Sequence, residues 1–108
     1  MKSKRAKATD IPKNVKDTVW ERDGGRCIIC GSPNAMPNAH YIRRSHGGLG
    51  IEENIVTLCI KCHQAFDSGT ENQQVEAEGT VRKYLKRQYK DWGPENLVYR
   101  KCDYGTQI

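Results

Sequence analysis

Two Cys-x-x-Cys motifs constrain this chain more than any other feature of its sequence. Cys27 and Cys30 form the first motif, and Cys59 and Cys62 form the second. Two such motifs supply four thiolates, the ligand set of a tetrahedral structural zinc site. Redox chemistry requires one such motif in a thioredoxin-like context, which this sequence lacks, and buried thiols without a metal are the other alternative. We therefore expect a structural Zn²⁺ here, with no part for Cys102.

A zinc site would also supply stability that the composition does not. Leu, Ile, Val and Phe make up 19 of the 108 residues, below the ~20% at which a highly charged sequence is usually classed as disordered. A structural zinc contributes apparent free energies of ~10–16 kcal/mol. We therefore expect a single small domain that requires its metal to fold.

The sequence disfavours a membrane protein or a secreted protein. No apolar run approaches the roughly 20 residues that a membrane span needs, and the N-terminal sequence MKSKRAKATD lacks the apolar stretch of a signal peptide. We expect no membrane partner and a cytoplasmic location.

The basic residues are clustered. The net charge is +5 and the isoelectric point is near 9.0, which favours polyanionic partners. Candidate phosphate-binding residues are the pair Arg43 and Arg44 and a late basic cluster, which consists of Arg82, Lys83, Lys86, Arg87 and Lys90. The alternative for such clusters is a solvated surface without a ligand.

The pattern of punctuating and apolar residues predicts three segments. Residues 1–11 form a basic, flexible arm, residues 12–92 form the domain with its core at 26–67, and residues 93–108 form a tail. Within the domain we predict helices over 12–22, 60–67 and 72–92, and short strands over 39–44 and 55–58. A glycine-rich loop at 45–50 joins the two strands.

Three residues among the zinc motifs carry the candidate chemistry: His40 on the first strand, Asn54 before the second, and His63 on the helix. Because zinc would fix the start of the hairpin to the start of the helix, the two histidines can converge in one cleft. Asp67 follows His63 by four residues and so shares its helix face. A strand histidine can take a proton from water, and a metal held from the helix can polarise a phosphate.

These residues resemble the HNH endonucleases. The resemblance rests on the stretch AHYIRRSHGG from Ala39 and the stretch ENIVTLCIKCH ending at His63. It implies an α+β fold with a small ββα-metal core, a treble-clef-like zinc site and flanking helices. The implied activity is metal-dependent hydrolysis of phosphodiester bonds in DNA, in a bacterial cell or a phage-infected host.

The resemblance also implies residue roles. His40 is similar to the general base, Asn54 to the residue that braces the hairpin loop, and His63 to a ligand of the catalytic metal. Asp67 stands where related enzymes place another ligand, and its carboxylate suits Mg²⁺ or Mn²⁺. One such site cuts one strand, so we expect nicking with low sequence specificity.

Ala39 departs from the family pattern, because many HNH enzymes carry a further metal ligand just before the histidine of the first strand. Two alternatives follow: a zinc-stabilised nucleic-acid-binding module without catalysis, or a subunit that acts only within a phage packaging or restriction assembly. The expected partner is DNA, with a homodimer or such a partner protein as further candidates.

Overall fold

The computed structural model describes residues 3–99. Its main elements are α1 (Lys4–Thr9), α2 (Lys13–Arg22), β1 (Ala35–His40), β2 (Ile55–Cys59), α3 (Ile60–Ser68) and α4 (Glu71–Gln88). Single 3-10 turns occur at Arg44–His46, Glu52–Asn54 and Pro94–Asn96. The two strands pair in an antiparallel sheet, and α3 follows β2 directly. The predicted α+β fold with a ββα core is confirmed.

The first strand begins and ends earlier than predicted. Ala35 lies opposite Cys59 and His40 lies opposite Ile55, with a register shift between Met36 and Ala39. Pro37 lies within this irregularity, where a residue without an N–H group is tolerated. The prediction that this strand starts at residue 39 was therefore wrong, because a proline at a bulge does not end a strand. The Tyr41 amide still donates to the main-chain carbonyl oxygen of Asn54, but the next amide, of Ile42, donates to the Asn54 side chain, which ends the ladder.

The second strand forms the centre of the core. All five residues of β2 are buried, which is the burial expected of a strand covered on both faces. Val56 and Leu58 pack with Phe66 of α3 and with Val81 and Leu85 of α4. The core thereby fixes α3, which carries His63, against the hairpin, which carries His40.

A buried polar network joins the end of α2 to β2 and α4. The guanidinium of Arg22 donates to the carbonyl oxygens of Glu52 and Ile55, both at 2.7 Å. The carboxylate of Asp23 accepts from the amide of Thr57 at 2.8 Å and from the hydroxyl of Tyr84 at 2.5 Å. Burial and the bond to Asp23 raise the pKa of Tyr84 to about 12. The network holds β2 in register against both helices.

The last long helix is shorter than predicted. A capping box of Thr70 and Gln73 begins α4, and the side chain at each position satisfies the other's amide. Gly79 does not interrupt the helix, which ends at Gln88 instead of residue 92. Tyr89 has extended backbone, and its hydroxyl bonds to Glu52 at 2.9 Å. Tertiary contacts thus override the helical pattern of the last four residues.

The two ends of the described chain also differ from the predictions. Residues 4–9 of the expected flexible arm form α1, whose N-cap is Ser3 and whose last residue, Thr9, is 3% exposed. In the expected tail, Leu97 is buried and its carbonyl accepts from the amide of Leu49 at 2.8 Å. Both ends therefore pack on the domain. Residues 1–2 of the expected arm and residues 100–108 of the expected tail, which include Cys102, lie outside the described residues.

The loop at 45–50 is ordered by backbone contacts. A Cβ atom on Gly48 would lie 1.7 Å from the carbonyl oxygen of Ile42, so this position requires glycine. Gly48 also forms an isolated bridge with Val98. The loop glycines thus allow the backbone of this loop to pack closely against its neighbours.

Between residues 3 and 99, none of the helices combines the length and the apolar character that crossing a membrane would require.

Candidate active site and metal centre

The four paired cysteines form one cluster. The sulfur atoms of Cys27, Cys30, Cys59 and Cys62 all lie within 4.8 Å of one another, and those of Cys30 and Cys59 are 3.5 Å apart. In a tetrahedral zinc site with Zn–S distances of about 2.3 Å, neighbouring sulfurs are about 3.8 Å apart. The sulfur positions and the donor chemistry therefore fit a structural zinc.

Backbone amides support the two cysteine turns. The amide of Cys30 lies 3.5 Å from the sulfur of Cys27, and that of Cys62 lies 3.5 Å from the sulfur of Cys59. In each contact, the positive end of the N–H dipole points at a sulfur that carries negative charge when it binds metal. Cys59 is also the N-cap of α3. The second cysteine turn therefore fixes where the helix carrying His63 begins.

A second feature is a cleft of about 340 Å³ between the hairpin and α3. Its walls contain the predicted residues His40, His63 and Asp67, the predicted pair Arg43 and Arg44, and two further residues, Asn38 and Ser45. The structure thus brings together the two histidines and the carboxylate that the sequence placed in one site.

His40 is the last residue of β1, and its ring is held by the main chain. Its Nε2 atom lies 2.9 Å from the carbonyl oxygen of Thr9. A carbonyl oxygen can only accept, so Nε2 carries the hydrogen and the neutral ring keeps its free lone pair on Nδ1. Burial lowers the pKa of His40, and the charge of Arg44 lowers it further, against the opposing effect of the Thr9 bond. A neutral ring with a free lone pair is the form that a general base requires.

Asn54 is fully buried and braces the loop after β1. Its Oδ1 atom accepts from the amide of Ile42 at 2.8 Å. Its Nδ2 atom donates to the carbonyl oxygens of Leu49 at 2.8 Å and of Ile42 at 3.2 Å. The side chain thus lies outside the cleft and joins the two ends of the loop that bounds it. This placement supports the role predicted for Asn54.

His63 and Asp67 face each other on α3. The Nε2 atom of His63 lies 3.1 Å from Oδ2 of Asp67. Ligands at neighbouring corners of an octahedron with metal–ligand distances of about 2.1 Å are about 3 Å apart. This pair therefore fits two ligand positions of one divalent ion. Among the described residues, only the four cysteines bring three or more His, Cys, Asp or Glu ligand atoms together. The cleft therefore offers fewer than three such ligands, and water or substrate oxygens would complete a metal site there.

Ala39, where related enzymes carry a further ligand, is fully buried in the hydrophobic core. Residue 39 therefore supplies no metal ligand in this protein. Asn38 lies two residues before His40 and lines the cleft. The alternation of side chains along a strand, which places residues 38 and 40 on one face, is the signal that identifies Asn38.

The two arginines of the cleft are partly engaged within the protein. Arg43 donates to the carbonyl oxygen of Asp67 at 3.0 Å, near the end of α3. Arg44 forms an ion pair with Asp10, and half of its side chain is exposed. Both residues bring positive charge to the wall of a cleft that contains the candidate chemistry.

The late basic cluster lies mainly on α4. Arg82, Lys83, Lys86 and Arg87 are exposed on the helix, and Lys90 is exposed just after its end. The opposite face of the helix is buried through Ala77, Val81 and Leu85. The cluster is thus a solvent-facing basic surface, separate from the residues that line the cleft.

Comparison with known proteins agrees with this geometry. A family model described as HNH endonuclease matches residues 27–68, from the first cysteine to the end of α3. The matched segment contains the ββα core, the cysteine cluster, His40, Asn54, His63 and Asp67. Residues 27–68 thus match the HNH endonuclease model in sequence, and their fold is compatible with a small ββα core.

A curated relative is Anaredoxin from Nostoc sp. (strain PCC 7120). It is 29% identical to this chain over 58 residues, which are 53% of this chain and 76% of Anaredoxin. No solved structure matches the chain.

Proposed function

We propose that this protein is a metal-dependent endonuclease that hydrolyses phosphodiester bonds in DNA. The observation that carries the proposal is the cleft that contains His40, His63 and Asp67 beside two arginines. A proton acceptor, a pair of metal ligands and positive charge are the groups that phosphodiester hydrolysis requires. The HNH match over the same residues supports the reaction class.

The residues of the cleft have separate roles in the proposed reaction. His40 accepts a proton from the attacking water at Nδ1, since Nε2 is bound to Thr9. His63 and Asp67 would hold a divalent ion such as Mg²⁺ or Mn²⁺, and Arg43 and Arg44 orient the phosphate. The ion, when bound, polarises the phosphate and stabilises charge on the departing oxygen. The four-cysteine site takes no part in the chemistry and maintains the fold.

One cleft of this kind holds one phosphodiester bond, so a monomer nicks duplex DNA. The exposed basic residues of α4 bind phosphates, which position a duplex without reading its bases. We therefore propose low intrinsic sequence specificity. Cutting both strands then requires a homodimer or two successive nicks.

The alternative is a nucleic-acid-binding module that binds DNA without cleaving it. The buried Ala39, which supplies no metal ligand, is the observation that favours this alternative. The test is conversion of supercoiled plasmid to nicked and linear forms with Mg²⁺, Mn²⁺, Ni²⁺ or EDTA, using the wild type and His63→Ala. We expect metal-dependent nicking that His63→Ala abolishes while zinc content stays the same. DNA binding without nicking in every metal would establish the binding module instead, unless addition of a partner protein restores cleavage.

A further inference from the structure

We infer that residues 3–11, the N-terminal segment, form part of the catalytic apparatus, with Thr9 as a positioning residue for His40. The inference rests on the proposed function. It concerns a part of the chain that lies outside the matched HNH segment, which begins at residue 27. The contact that carries it is the 2.9 Å bond between the carbonyl oxygen of Thr9 and Nε2 of His40.

This bond selects one form of the histidine ring. A neutral imidazole has two tautomers, and the partner of one nitrogen decides which nitrogen carries the hydrogen. The Thr9 carbonyl requires the hydrogen on Nε2, which leaves Nδ1 able to accept a proton. Without this acceptor both tautomers are available, and the ring is free to rotate.

The position of Thr9 is itself well fixed. The residue is 3% exposed, and its hydroxyl donates to the carbonyl oxygen of Arg5 at 3.0 Å within α1. The preceding residue, Ala8, accepts from the amide of Gly50 at 2.9 Å. The acceptor for His40 is therefore held from both the helix and the loop.

Two side-chain contacts join the same segment to the loop after β1. Arg5 donates to the carbonyl oxygen of Ser45 at 2.9 Å, and Asp10 forms the ion pair with Arg44. Ser45 and Arg44 both line the cleft. The N-terminal segment thus contacts the base and one wall of the cleft, which a simple flexible arm would not do.

Gly50 offers a way to displace the segment without changing a cleft residue. A Cβ atom at this position would lie 1.8 Å from the carbonyl oxygen of Asp10 and 3.0 Å from the amide nitrogen of Ile11. Gly50→Ala must therefore move the segment away from the loop. Gly79→Ala is the matched control, because a Cβ atom on Gly79 meets nothing within 4 Å.

A second variant changes the acceptor itself. An ester bond between Thr9 and Asp10 weakens the Thr9 carbonyl as an acceptor, and the chain can be assembled by joining a synthetic segment 1–26 to the rest at Cys27. An ester between Lys16 and Asp17 in α2 is its control. This variant keeps the inference testable if Gly50→Ala does not fold.

The experiment measures the ¹⁵N shifts of the His40 ring and the single-turnover cleavage rate in the zinc-loaded full-length chains. We expect the Nε2–H tautomer in the wild type and in both controls. Gly50→Ala and the Thr9–Asp10 ester should give mixed tautomers. Their rates should fall about 10- to 100-fold, by analogy with the loss of a hydrogen-bond partner that orients a metal-ligating histidine, with DNA affinity unchanged.

Retention of the Nε2–H tautomer and of the wild-type rate in the Thr9–Asp10 ester would overturn the inference. A loss of stability alone, without a change of tautomer, would also overturn it, since a purely structural contact predicts that result. If the wild type cleaves no DNA, the proposed function fails, whereas the ring shifts still decide whether Thr9 sets the tautomer.

Discussion

The side chain of Asn54 bonds to both polar groups of the Ile42 main chain. Its Oδ1 atom accepts from the Ile42 amide at 2.8 Å, and its Nδ2 atom donates to the Ile42 carbonyl oxygen at 3.2 Å. Asn54 thus substitutes for a strand partner at the point where β1 ends. The cleft keeps its shape because the loop after His40 is fixed by a fully buried amide.

Asn54→Asp should destabilise the protein and slow cleavage. A carboxylate has nearly the same shape, but when ionised it cannot donate to Ile42 and Leu49. Leaving buried acceptors without donors costs about 1–3 kcal/mol each, to be measured by urea unfolding of the zinc-loaded protein. Asn72→Asp, an exposed position in the first turn of α4, should leave stability nearly unchanged. Equal stability of the two variants would contradict the bracing role.

Removal of zinc should abolish cooperative unfolding. The apolar core is small, and four-thiolate sites of this kind contribute ~10–16 kcal/mol of apparent free energy. Calorimetry with and without a strong zinc chelator measures the effect, with the metal content determined in parallel. Adding only Mg²⁺ should not restore the transition. A sharp transition in metal-free protein would show that the cysteine cluster is not a folding site.

The pH dependence of cleavage should reflect a histidine whose pKa is lowered. His40 must be neutral to accept a proton, so the rate falls as pH falls through its pKa. Burial and the charge of Arg44 hold this pKa below its ordinary value of 6.5. The acid limb of the single-turnover rate should therefore lie below pH 6.5. Arg44→Gln removes one lowering charge and should move the limb to higher pH; an unmoved limb would exclude His40 as the titrating group.

The basic surface of α4 should govern the salt dependence of DNA binding. Arg82→Ala combined with Arg87→Ala removes two exposed charges, which should reduce the slope of log K against log salt by about 2. Fluorescence anisotropy at several salt concentrations gives the slope. Lys16→Ala with Lys61→Ala removes the same net charge from exposed positions on α2 and α3. The control should keep the wild-type slope, and a wild-type slope in the α4 double variant as well would show that α4 is only a solvated surface.

Local spacing predicted the centre of this site, and long-range contacts determined the rest. Short stretches of sequence were enough to predict the cysteine motifs, the positions of His40 and His63, and the helical spacing of Asp67. The bond from Thr9 to His40 joins residues 31 positions apart, and no local pattern reveals it. Pro37 misled the strand prediction because its tolerance depends on a bulge that only pairing with β2 creates.

The most direct test of the central claim is the single-turnover cleavage rate of a short labelled duplex by His40→Ala and His46→Ala. His46 is an exposed residue of the loop after β1 and does not line the cleft, so it is a matched control. Loss of a general base lowers the rate by about 10²- to 10⁴-fold. The account predicts this loss for His40→Ala and a wild-type rate for His46→Ala, with zinc content and DNA affinity the same in both. A wild-type rate in His40→Ala would contradict the account.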